Sequence, residues 1–284
     1  MLAALQAFCL AHQGSPKRKP EPASLPVLSE GGDLAPVKEA LQPAEALWFA
    51  GKLKEARLEL ERLCSSAGQL AEACSVSLGG LSFHLQDFDK ARAALEKALS
   101  STHPVICWNA RLLLAFDALR RSDAAEARKQ LAECGAPPTP GLEERAAWVL
   151  ALAHLLECKP APAIEILERL RKQASSESGR LFIALGLLSV GKNDGGRTLL
   201  SEVSQQKLPV PYRKLAQLAL VAASGRWDEA LFRETLSLNP RSPAAWMLWA
   251  RFAPQEGLSS ALVLARARAE AGTEVFLWDC DEQR

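Results

Sequence analysis

The chain has 284 residues, 48% hydrophobic and 24% charged, and its 34 basic and 33 acidic side chains leave a formal net charge of +1. That balance removes the basic footprint nucleic acid demands and the polybasic surface that anionic lipid recruits. No stretch approaches the ~20 apolar residues of a membrane helix, so neither a nucleic-acid partner nor membrane insertion is expected. Ala, Leu, Glu, Arg and Lys dominate, all good helix formers, while a single Tyr and few β-branched runs argue against a large sheet. The composition predicts an all-α fold.

Residues 1–36 form an N-terminal arm or linker. The first 13 can make one short amphipathic helix, but Met1 to Leu10 has no preceding basic residue and does not read as a signal peptide. Ser15-Pro16-Lys17-Arg18-Lys19-Pro20-Glu21-Pro22 and Gly31-Gly32 then block regular helix. The three basic residues there read as solvating charge. The seven cysteines stand at 9, 64, 74, 107, 134, 158 and 280 without a Cys-x-x-Cys pair. Reduced thiols packed as small hydrophobes in a cytoplasmic protein are expected.

The helical period starts near Val37. Val37 to Phe49 turns at Gly51-Lys52 and returns through Lys54 to Cys64; Ala71 to Leu85 pairs with Phe88 to Ser100; Pro104 to Arg120 pairs with Asp123 to Cys134. After Pro137-Pro138-Thr139-Pro140, Leu142 to Glu157 pairs with Ala161 to Gln173, Ser176 to Val190 with Asn193 to Gln205, and Pro211 to Ser224 with Trp227 to Leu238. Ala244 to Phe252 and Leu258 to Ala271 close the array, and 272–284, with Val275-Phe276-Leu277-Trp278, forms a capping tail.

Ala91, Ala127 and Ala163 stand 36 residues apart, each near the start of a second helix, and Ala56 and Ala230 hold the same place. Leu60, Leu95, Leu131 and Leu167 follow one turn later on the same face. A small residue is required where paired helices cross closely, so these alanines are expected to be buried. Gly196 takes the alanine's place in its own unit. Gly51, Gln86, Gly191 and Gly225 fill the turns between helices, with Leu53, Phe88 or Trp227 two residues on.

Together these units resemble tetratricopeptide repeats, helix–turn–helix units of ~34 residues, over roughly residues 37–271 in six to seven pairs. The resemblance implies a right-handed α-solenoid, a superhelix of stacked antiparallel helix pairs whose first helices line a concave groove. It places Trp48, Phe83, His84, Phe116, Arg120, Trp148 and Leu185 on that inner wall. The Lys and Asn clamp of the chaperone-binding members is missing from these positions. A largely apolar wall suits an amphipathic helix or extended peptide, although the same stripe can simply be core.

No His-Glu-x-x-His, zinc-spaced Cys/His set or Gly-x-Ser-x-Gly occurs, and Gly191 to Arg197 lacks the end of a phosphate loop. Ser204-Gln205-Gln206-Lys207 has the spacing of serine acyl-enzymes without their companion motifs. The expected function is therefore a non-enzymatic adaptor or scaffold for a protein partner, without cofactor or metal. The alternative is a regulatory sensor that takes a small ligand or signalling peptide.

Overall fold

The computed structural model describes residues 34–49, 52–85, 87–173, 177–205, 210–238, 242–254, 257–259, 262–263 and 265–267. Most of the expected N-terminal arm and the whole capping tail lie outside these residues. Among the described residues the fold is all-helical, in two compact units, one ending at Ala153 and the other beginning at His154. The first contains α1 (Ala35–Phe49), α2 (Leu53–Leu63), α3 (Gln69–His84), α4 (Phe88–Ala98), α5 (Pro104–Arg120), α6 (Ala124–Ala132) and most of α7 (Pro140–Leu156). The second contains α8 (Pro160–Gln173), α9 (Glu177–Ser189), α10 (Asn193–Ser204), α11 (Val210–Ala223), α12 (Glu229–Leu238) and α13 (Pro243–Phe252).

Neighbouring helices pack in pairs: α1 with α2, α3 with α4 and α5 with α6 in the first unit, α9 with α10 and α11 with α12 in the second. First helices also touch those of the adjacent pair, so α3 meets α1, α2, α4 and α5, and α11 meets α9, α10, α12 and α13. A helix with four neighbours has few sides left for water. Helix α5 meets α3, α4 and α6 and buries Val105, Ile106, Trp108, Asn109, Ala110, Leu112 and Leu114 through Leu119, whereas α2, which meets α1 and α3, buries Ala56, Leu60 and Leu63.

The turns repeat one hydrogen bond. The amide N–H of Lys52, Asp87, Asp123, Lys159, Lys192 and Arg226 each donates to the carbonyl five residues earlier, at Leu47, Ser82, Ala118, His154, Leu187 and Val221, over 2.8 to 3.4 Å. This six-to-one closure ends a helix through one left-handed residue. Gly191 (φ 78°) and Gly225 (φ 76°) supply it without a Cβ clash, whereas Ser122 (φ 61°) and Cys158 (φ 54°) do so with a side chain. A left-handed non-glycine costs about 1–2 kcal/mol. Ser122→Gly is therefore expected to raise stability by about 0.5–1 kcal/mol, after the extra freedom it gives the unfolded chain. A urea midpoint that is unchanged or lower would contradict the strain assigned to this turn.

The crossings follow the expected register at five second helices. Ala56, Ala91, Ala127 and Ala163 are fully buried, Leu60, Leu95 and Leu167 likewise, and Leu131 nearly so. At Gly79 a Cβ would lie 2.7 Å from the Leu95 side chain, and at Gly196 one would lie 2.8 Å from Leu188. Both crossings are closer than an alanine on each side allows.

Ala230 departs from the expectation: it is exposed. The position one turn on is Glu234, also exposed, so no apolar follow-up pulls this face inward. Helix α12 starts late, at Glu229, with the Asp228 side chain accepting from the Leu231 N–H at 2.9 Å. Phe232 and Thr235 take the buried register instead.

The thiols also depart in one place. Cys64, Cys74, Cys107 and Cys134 are free, as expected of reduced core cysteines, but Cys158 is disulfide-bonded.

Candidate functional site

The side chains proposed for an inner wall fall into two groups. Phe83, Phe116, Trp148 and Leu185 are buried, with exposures of 2%, 4%, 7% and 3%. They fill space between helices, and little of their area is left for a partner to cover. Trp48 and Arg120 are half-buried. The backbone of His84 ends α3, and its side chain lies outside the described residues.

Trp48 projects from the end of α1 onto α3. Its ring reaches within 3.5 Å of where a Cβ on Gly80 would stand, so the bare glycine leaves room for the indole. This is the largest inner-wall side chain that keeps part of its surface open.

Arg120 belongs to a charged and aromatic knot in the unit ending at Ala153. The Asp117 side chain, 1% exposed, is its centre. Oδ1 accepts from Arg120 Nε at 3.0 Å and Nη2 at 2.9 Å. Oδ2 accepts from Arg92 Nη1 at 3.1 Å and Arg121 Nε at 3.2 Å. The Arg120 guanidinium lies 3.7 Å over the Phe88 ring, and Phe88 in turn meets Phe83 with centroids 6.2 Å apart. Arg92 also pairs with Asp89, and the hydrogen bond it donates to Asp117 holds its guanidinium above the ordinary arginine value.

Why the knot forms there is local. Asp117 is the only acidic residue of α5, and Arg120 and Arg121 follow at the i+3 and i+4 places that share its face. A buried carboxylate is tolerated only with its lone pairs filled. Four charge-assisted hydrogen bonds do this and bind α5 to α4, a helix of the preceding pair. Phe83 and Arg120, proposed independently, are thus brought into one cluster.

Asp117, Asn109 and Arg145 were not among the expected site residues. Asn109 donates to the Val105 carbonyl at 2.7 Å and accepts from Arg145 Nη1 at 3.3 Å, and Arg145 Nε reaches the Gly141 carbonyl at 3.1 Å. All three are buried polar side chains. The available signal was a lone acid or amide in an otherwise apolar helix, a pattern that requires specific partners.

In the unit that begins at His154, Trp227, Phe232, Trp246 and Trp249 form a chain of rings with centroids 5.3, 5.3 and 5.6 Å apart. They tie α12 to α13. Tyr212 packs edge-on against Phe182, and burial pushes its phenol up to about 12.

Among the described residues no group of three or more His, Cys, Asp or Glu is placed to hold a metal ion, and no helix is long and apolar enough to cross a membrane. No protein-family model, curated protein or solved structure gives a significant match to the chain.

Proposed function

We propose that the chain is a non-enzymatic adaptor of the cytoplasm, a right-handed superhelix of antiparallel tetratricopeptide-like pairs that holds a protein partner. The observation that carries this reading is the six-fold recurrence of one turn hydrogen bond, from Lys52 to Arg226, beside an alanine or glycine crossing that recurs in five second helices. A chain that repeats one supersecondary unit in this way builds an extended surface rather than a single enclosed pocket. The partner is a peptide, an amphipathic helix or a subunit of a larger assembly.

The contact surface in this reading centres on Trp48, with His84 and Arg120 at the matching positions 36 and 72 residues on. A large aromatic with part of its area open loses little rotamer freedom on binding. Trp48→Ala is expected to weaken the partner by more than ~1 kcal/mol while the melting temperature stays nearly unchanged. The check is to titrate the partner that co-purifies with the chain against wild type and variant, and to melt each alone. Parallel losses of stability and affinity would make Trp48 a core residue and move the contact elsewhere. Recovery of a stoichiometric small molecule in place of a protein would favour a sensor over an adaptor.

A further inference from the structure

The Cys107 and Cys134 sulfurs lie 3.6 Å apart, in van der Waals contact, and both residues are half-buried rather than sealed. Cys107 sits in the first turn of α5, where the backbone is fixed. Cys134 lies just beyond the end of α6, after Glu133 and before Gly135, which is left-handed at φ 69°. A disulfide needs sulfurs about 2.05 Å apart. Bond formation brings the two sulfurs about 1.5 Å closer than they stand.

Two further contacts hold the turn in place for this. Trp108 Nε1 donates to the Ala136 carbonyl at 3.1 Å, which fastens the turn to α5 one residue from Cys107. Arg111, one helical turn further along α5, donates to Gln130 at 3.0 Å and to Glu133, beside Cys134. Its guanidinium is a cation next to a sulfur that must carry negative charge during exchange. Cys74 differs: it is fully buried, and its thiol donates to the Leu60 carbonyl at 2.9 Å.

We propose that Cys107 and Cys134 are a reversible redox-modification site, a dithiol whose oxidation by a low-molecular-weight disulfide such as oxidised glutathione staples the 133–139 turn to α5. The Cys107 thiolate, its proton given to solvent, attacks one sulfur of glutathione disulfide. That S–S bond breaks, one glutathione thiolate leaves and a mixed disulfide forms on Cys107. Cys134 then gives up its proton to solvent and attacks Cys107 Sγ. The second glutathione thiolate leaves, and the protein disulfide is made. Two protein thiols are oxidised and one glutathione disulfide is reduced to two glutathiones. The first attack is assigned to Cys107, on the first turn of α5, because burial and the neighbouring sulfur push the Cys134 thiol up to about 12.

The test equilibrates the full chain in buffers of rising oxidised-to-reduced glutathione ratio, quenches with acid, alkylates and maps the peptides. The expected result is that Cys107 and Cys134 become protected together, as one cross-linked peptide pair that dithiothreitol releases. The melting temperature of the oxidised form should rise by several degrees. In Cys134→Ser the exchange should stop at the first step and leave a glutathione adduct on Cys107. In Cys107→Ser the cross-link should vanish and Cys134 should stay alkylatable. Full alkylation of both cysteines in wild type at every ratio would overturn the proposal. So would an adduct on Cys134 rather than Cys107 in the serine variants, which would reverse the assigned order.

Discussion

Asp117→Ala is expected to destabilise the unit ending at Ala153 by about 3 kcal/mol, the cost of removing one partner from a buried ion cluster. The change leaves Arg120, itself largely buried, without the carboxylate that fills two of its donors, and it cuts the link from Arg92 across to α5. Arg92 and Arg121 are open enough to turn to water, which keeps the cost near the lower end of the range for buried pairs. Asp117→Asn should recover only part of the loss, because an amide offers one acceptor where four donors converge. Adding Arg120→Leu to Asp117→Ala should cost less than the sum of the two, with coupling above about 1 kcal/mol in a double-mutant cycle. Urea unfolding measures all of these. A loss below about 1 kcal/mol for Asp117→Ala would show that the knot is ornamental.

The second large effect is expected at Ala91. It is fully buried, and its carbonyl lies 3.3 Å from where a Cβ on Gly79 would stand. A crossing that cannot admit one methyl on the facing helix cannot admit an indole. Ala91→Trp should cost about 3 kcal/mol or prevent folding, at or beyond the upper end for overpacked sites. Ala230→Trp is the matched control. That alanine is exposed, so the same substitution should stay within about 0.5 kcal/mol of wild type. Equal melting temperatures for the two variants would contradict the assignment of buried and exposed registers.

This contrast also shows how far the sequence can be read. The Ala-x-x-x-Leu spacing from Ala56 to Leu167 identifies the crossings because small residues recur there for one geometric reason. At Ala230 the alanine is present but Glu234 stands where leucine should follow, and the face rotates to Phe232. A register read from one residue is weaker than a register read from two. The turns were legible at Gly191 and Gly225, whose chemistry advertises a positive φ, and illegible at Ser122 and Cys158, which adopt it under the constraint of the same hydrogen bond.

The inner wall was harder to read. Periodicity places Phe83, Phe116, Trp148 and Leu185 on one stripe, but does not say how many helices surround that stripe. Because α3 has four helical neighbours, positions that a two-helix repeat would leave open are closed. Asp117 escaped notice because a carboxylate followed by two arginines on a helix ordinarily marks a solvated face. Its burial depends on Arg92, 25 residues away in sequence, and no local pattern encodes that contact.

The adaptor reading is tested most directly by native mass spectrometry. The partner recovered with the full chain is purified separately, re-mixed with it, and the mass of the assembly is measured at near-physiological salt. The account predicts a discrete complex of fixed stoichiometry that forms with wild type and is depleted with Trp48→Ala at matched concentration. A chain that stays uncomplexed under these conditions, or carries only a small molecule, would contradict it.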